Sequence, residues 1–522
     1  MVRLADVLPG LLNKIRSLMR FRHAPRLMAS GAVALAAVYL YRAIKRRRRR
    51  PSLCDRLGGT PGPIPCFGFV PRSSEHFLYG LEILADTYGD TFAIRIMGRE
   101  SVVSTDYETI KEVHKERPHN LIRAFNKDKL LPIPGMLTAE GEEWKRNRRL
   151  AVPALNEHNS AEMVPAMAVV AKRLVRQLRT LDCDGRIVWE PTNWLMLCSL
   201  DVLCLTTFGM DFYFLNPDVE NRVSSITVPP GSREIAQSIF HFVEGSIYIL
   251  DFSAILPSIT RNRFPWNLNP IIKKFYASID RLNKFADDLA VQRRAQGEGR
   301  ERSDLLSGLL QLDKRDFEGN IVTLFFAGSE TTAAALSWCL YYLCLYPDAQ
   351  ARARKEVDTL GHDPETNDDL DQLPFVESCI LETLRLKSPV PLLVNETTAS
   401  VSVRGHEVPE GTWIVTLTGK QMRSNAEGGS SFRPQRWLTS DGGVDRARAQ
   451  EHLAFGSGPR RCPGSNMAIK EGTMVLAMIL RHFDNIKHSS DISKVEVKAR
   501  LTYGPAKLET SMSKRPTLPS MP

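Results

Sequence analysis

At 522 residues, 43% of them apolar and 25% charged, the chain is long enough to bury a large core and has the composition of an ordered globular protein. The formal charge of +10 would fit a nucleic-acid binder if it were spread over the molecule, but residues 1–50 hold 13 of the 69 Lys and Arg and only Asp6 of the 59 acids. What remains, 56 basic against 58 acidic residues, is a near-neutral body; this argues against nucleic acid as a partner and assigns the basic N-terminus to a membrane or targeting role.

Leu27 to Tyr41 reads LMASGAVALAAVYLY, 15 residues without a charge, with Arg26 before it and Arg42, Lys45 and Arg46 to Arg50 after it. That is short for a span of about 20 residues, but Tyr, Lys and Arg at its ends can snorkel to the interface. One membrane helix over about 27–44, inside a basic leader of residues 1–50, is therefore expected. The heavier basic cluster follows the apolar run, which favours an endoplasmic reticulum membrane with a cytosolic body. An Arg-rich, acid-poor start also resembles a cleaved mitochondrial leader, and the mitochondrion is the alternative. Residues 51–65 contain GGTPGPIP, read as a stiff hinge rather than regular helix or strand. Residues 66–522 contain no repeat and no second linker of that kind, and read as one domain.

Within that domain Thr91 to Ser104 and Ala399 to Thr418 carry the β-branched, turn-punctuated pattern of short strands. Helical patterns dominate elsewhere: Asp316 to Tyr346 up to Pro347, then Ala349 to Leu360 and Val376 to Leu386. The expected class is mainly α with small β-sheets. Ile321 to Tyr346 is long enough for a second membrane span, but Ser329, Glu330, Thr331 and Thr332 lie near its centre. A carboxylate there costs about 2.5–3.5 kcal/mol in a bilayer, so a helix buried in a protein core with a polar cluster facing a cavity is the better reading.

Nine cysteines, at 54, 66, 183, 198, 204, 339, 344, 379 and 462, include no C-x-x-C pair, which argues against a zinc ribbon or a disulfide framework. Most read as small buried hydrophobes in a reducing compartment. Cys462 differs. It lies in FGSGPRRCPG, Phe455 to Gly464, immediately before a strongly helical segment. Free N–H groups and the positive end of a helix dipole favour a thiolate at such a place. Gly456, Gly458 and Gly464 leave room for a flat ligand against the backbone, and Arg460 offers a cation to a carboxylate on that ligand. One cysteine in a basic loop could still be structural or redox-active.

The ten-residue context is more specific. Phe455, Gly458, Arg460, Cys462 and Gly464 match every defined position of F-x-x-G-x-R-x-C-x-G, and the loop resembles the haem-binding loop of the cytochrome P-450 family. Other motifs of that family occur in its order: Trp144 and Arg148 as W-x-x-x-R, Ala327-Gly328-Ser329-Glu330-Thr331-Thr332 as the oxygen-activating stretch, Glu382 and Arg385 as E-x-x-R, and Phe432 to Trp437, with Arg436, as F-x-P-x-R-W. The resemblance implies a helical prism enclosing haem b, with Cys462 as iron ligand. It further implies that Arg460, Trp144 and Arg148 reach haem propionates, that Phe455, Gly456, Gly458, Gly464, Ala327 and Gly328 surround the haem, and that Thr331 with Glu330 delivers protons. Glu382, Arg385 and Arg436 are expected as a scaffold that props the cysteine loop. In one place the chain departs from the pattern: many relatives put Arg or His as a further propionate contact where this chain has Asn395, which can hydrogen-bond a carboxylate but cannot neutralise it.

The implied reaction is insertion of one oxygen atom of dioxygen into a lipophilic substrate. No dinucleotide or flavin fingerprint occurs, so NADPH would act only through a partner, a flavoprotein reductase with an acidic face or a ferredoxin-type donor. Lys145, Arg146, Arg149, Arg436, Arg461 and Lys470 are candidates for its basic docking face. Segments near Ile122 to Met136, Ile235 to Leu250, Leu392 to Thr397 and Thr502 to Pro505 are expected to line the substrate cavity. Two other readings stay open: an electron-independent isomerase or dehydratase of the same family, and a non-enzymatic haem sensor.

Overall fold

The longest apolar run of the body becomes its central helix. Lys314–Leu345 starts at Asp313, whose side chain accepts from the backbone N–H of Asp316, and stops before Pro347, which opens the next helix, Pro347–Thr359. It packs against helices Pro191–Leu203, Pro270–Ala295, Pro374–Leu386 and Ser465–His482. That enclosure explains why the run is apolar on all sides. The computed structural model describes residues 52–515 apart from 61, 63–67, 70, 72, 125–131, 216–230, 251–268, 296–303, 425–427, 490, 493, 494 and 501. The membrane helix expected over 27–44 lies outside the described residues, and among those described no helix is long and apolar enough to cross a membrane.

The strands are β1 Gly59–Thr60, β2 Thr91–Ile96, β3 Arg99–Ser104, β4 Leu121–Arg123, β5 Ile187–Trp189, β6 Leu393–Thr397, β7 Val401–Val403, β8 His406–Val408, β9 Trp413–Thr416, β10 Phe483–His488, β11 Val497–Ala499, β12 Tyr503–Pro505 and β13 Thr510–Lys514. The expected Thr91–Ser104 segment folds as the β2–β3 hairpin, turned by Met97 and Gly98 at positive φ. Six strands form one sheet in the order β1-β2-β3-β9-β6-β4, with β1/β2 and β3/β9 parallel and the other pairs antiparallel. A three-stranded sheet β10-β13-β5 and the pairs β11-β12 and β7-β8 complete the β portion. The whole is mainly helical with small sheets.

The stretch read as a hinge is partly regular. Ser52 caps the short helix Leu53–Leu57 through a capping box with Asp55, and β1 pairs in parallel with β2. Leu53 is buried against Ala93 and Val102, so the ordered body begins before residue 66. One large apolar cluster joins the central helix to its neighbours, and a second lies between the six-stranded sheet and helix Ser74–Tyr88.

Candidate active site

The cysteine loop is built from two short turns, Leu453–Phe455 and Gly458–Arg460, and leads into helix Ser465–His482. The Cys462 N–H donates to the Phe455 carbonyl at 2.9 Å, closing the loop on itself. His114 clamps it from outside: Nδ1 is 2.8 Å from the Ser457 hydroxyl and Nε2 is 3.2 Å from that of Thr416. Burial, helped by Arg117, pushes the His114 pKa down to about 4, so this ring is neutral. Gly458 sits at φ +68 and a Cβ there would lie 2.6 Å from the His114 carbonyl oxygen. Its missing side chain therefore admits helix Tyr107–Glu116, not a ligand. At Gly456 and Gly464 a Cβ would meet nothing within 4 Å, so those two do leave open space.

A cavity of about 550 Å³ brings the expected residues together. Cys462, Phe455, Gly456, Arg460 and Gly464 line it from the loop, Ala327, Gly328, Glu330 and Thr331 from the central helix, and Trp144 and Arg148 from helix Gly141–Ala151. Its other described lining is chiefly apolar, including Leu137, Leu203, Phe326, Ala335, Leu392 and Val394. Helix Ser232–Leu250, expected to line the cavity, contributes none of the described lining; its Phe242 stacks instead on Phe275 and Phe326.

The loop does not by itself hold Cys462 as an anion. Burial raises the thiol pKa, and the Gly464 N–H, Arg148 and Arg461 offset this only in part. The side chain itself is exposed toward the cavity. On the central helix the Thr331 hydroxyl donates to the Ala327 carbonyl at 2.7 Å. Glu330 is 4% exposed, and among the described residues neither carboxylate oxygen makes a hydrogen bond of normal geometry. Burial lifts its pKa to about 7, against a partial pull downward from Thr502 and Arg500. Glu471, unremarked in the sequence, also lines the cavity, fully buried and pushed up to about 8.

Arginines crowd one end. Arg460 donates to the Ala139 carbonyl and to Glu140, and its guanidinium lies 4.1 Å from the centre of the Trp144 ring. Arg148 donates to the Arg461 carbonyl at 2.9 Å and so ties helix Gly141–Ala151 to the cysteine loop. Arg117 and Arg123, neither singled out from the sequence, line the same cavity. Arg117 donates to Glu140 at 2.9 Å. Glu140 is the one carboxylate bonded to this group among the described residues, and the Nε atoms of Arg117, Arg123 and Arg460 are buried without partners. Burial and mutual repulsion bring Arg460 down to about 9. A thiol in a largely apolar cavity that ends in under-neutralised guanidiniums fits a haem, flat and apolar with two carboxylates at one edge.

The Glu382 carboxylate is fully buried and fully used. Arg385 donates to both of its oxygens, at 2.8 and 2.9 Å, and Arg436, Trp437 and the Arg433 N–H each reach it at 2.9 Å. The network meets the cysteine loop indirectly: His452 bonds the Leu381 carbonyl and accepts from the Ala454 N–H. Arg436 thus belongs to this network and leaves the expected docking face. Of that face Lys145, Arg146 and Arg149 are exposed, Arg146 being paired with Asp313 and Asp316, while Lys470 bonds Asn367.

The family model "Cytochrome P450" matches residues 58–510. "Cytochrome P450 1A1" of Sparus aurata is 26% identical over 489 residues, covering 86% of this chain and 89% of the relative. "Cytochrome P450 1A1" of Mesocricetus auratus is 28% identical, covering 91% and 92%. "Cytochrome P450 4d2" of Drosophila melanogaster is 26% identical, covering 87% and 92%. A match over most of the chain, with the cysteine loop, the central helix and the Glu382 network arranged as described, makes the chain a member of the cytochrome P450 family, whose chemistry is haem-thiolate oxidation.

Proposed function

We propose that the chain is a monooxygenase acting on a lipophilic substrate, with electrons from NADPH arriving through a separate reductase and the body held at a membrane by the N-terminal segment. The observation that supports this most is the meeting of Cys462, the Ala327 to Thr331 stretch and the arginine group around a single, largely apolar cavity. Cys462 would ligate the iron, and Arg460, Arg148 and Trp144 would hold the haem edge. The bound haem would supply oxygen activation and the two-electron oxidation of the substrate.

The chain's own part is proton supply and the exclusion of water. Glu330, with a pKa of about 7, holds or releases a proton near neutrality, and Thr331, one residue on, lines the same cavity. The hydroxyl proton of Thr331 is directed at Ala327, which leaves its oxygen able to accept from a water. The apolar lining from Leu203, Phe326, Leu392 and Val394 favours a lipophilic substrate and keeps the site dry.

The test is the carbon monoxide difference spectrum of the reduced protein, which reports a thiolate on the iron. The wild type is expected to show the thiolate band and Cys462→Ser to lose it; an unchanged spectrum in that variant would end this reading. Product formed from NADPH with a reductase and a panel of lipophilic compounds then separates monooxygenation from electron-independent chemistry and from haem binding alone.

A further inference from the structure

Position 395 departs from the family pattern, and the fold sets a second residue directly across from it. β4 and β6 pair antiparallel with Arg123 opposite Asn395. Residues so opposed carry their side chains on one face of the sheet. Asn395 is buried, and neither its amide oxygen nor its amide nitrogen has a partner among the described residues. Arg123 lines the cavity that Cys462 lines, and its Nε is buried without a partner among the described residues.

Glu140 organises this corner without satisfying it. One of its oxygens accepts from Arg117 and from the backbone N–H of Arg123, each at 2.9 Å, and the other accepts from Arg460. The acid therefore fixes the end of β4 and orients two guanidiniums, while the Arg123 side chain lines the cavity with no carboxylate bonded to it among the described residues. A guanidinium in that position calls for a carboxylate from a ligand. Arginine at 395 as well would set two like charges directly opposite, which is destabilising in an antiparallel pair. An uncharged residue at 395 is thus what Arg123 permits.

Resting on the haem reading above, we infer that Arg123 supplies, across the β4–β6 pair, the propionate charge that Asn395 lacks, with Glu140 as the positioning residue that holds its strand, Arg117 and Arg460 around the carboxylates.

The experiment measures haem transfer from the full-length holoprotein to excess apomyoglobin, for the wild type, Arg123→Gln, Arg123→Lys and the double variant Arg123→Gln with Asn395→Arg. Each is loaded with haem or with haem dimethyl ester. R123Q is expected to release haem at least about tenfold faster than the wild type. R123K should release it slowly, and the double variant should recover most of the loss. With the ester, whose propionates carry no charge, the wild type and R123Q should release at the same rate. Equal haem release by the wild type and R123Q, no recovery in the double variant, or a difference that persists with the ester would each overturn the inference. A wild type that binds no haem would overturn the haem reading itself, whereas a wild type that retains haem beside an unchanged R123Q overturns only the role of Arg123.

Discussion

At the scale of single residues, Glu330 is the most consequential departure from ordinary behaviour. Its pKa of about 7 stands above the usual 4.5 because burial disfavours the charged form and Thr502 and Arg500 offset this only in part. The folded chain therefore holds this proton more tightly than the unfolded chain does. Its contribution to stability is fully present at low pH and is lost as pH rises through the interval between those two values. Glu330→Gln has no such loss. It is expected to match the wild type near pH 4 and to exceed it by up to about 3 kcal/mol near pH 8, measured by denaturant unfolding at both pH values. An equal offset at the two pH values would show that the acid is not titrating in this range.

At the scale of elements, the cysteine loop is held by helices it does not belong to. Helix Tyr107–Glu116 reaches it through neutral His114 and through the close approach at Gly458. Helix Pro374–Leu386 reaches it through His452, while the Glu382 carboxylate of the same helix anchors the 433–437 segment that precedes the loop. Removing one partner from a buried charge network costs about 3–5 kcal/mol, because the charges left behind have no solvent. Glu382→Ala removes the carboxylate that Arg385 and Arg436 share, and is expected to yield protein that is largely free of haem rather than loaded protein with a slower turnover. The ratio of Soret to protein absorbance after purification checks this. A fully loaded E382A would mean that the loop stands without the network.

At the scale of the whole molecule, three exposed basic residues lie on a helix that borders the cavity. Lys145, Arg146 and Arg149 share helix Gly141–Ala151 with Trp144 and Arg148, which line the cavity. Exposed charges act over about 8–10 Å at moderate salt, so a partner docked on this helix would sense them. Reduction by an acidic flavoprotein is expected to slow as ionic strength rises, and Arg149→Glu to slow it further at low salt. Stopped-flow reduction across a salt series measures both, and a rate indifferent to salt would move the docking face elsewhere.

Contiguous motifs were legible from the chain alone, because short spacings translate directly into local geometry. Phe455 to Gly464 dictates a tight loop before a helix, Glu382 and Arg385 fall on one helical face, and Pro347 ends the central helix. The mainly helical class and the β2–β3 hairpin followed in the same way from periodicity and turn residues. Only the tertiary structure decided which charges meet and which of them lose water. Arg117, Arg123 and Glu140 carry no motif, and they reach Arg460 across more than three hundred residues of chain. The role of Gly458 against helix Tyr107–Glu116, the membership of Arg436 in the Glu382 network, and the proton held by Glu330 likewise depend on long-range packing. Burial and the local field are properties of the assembled fold, which spacing along the chain does not encode.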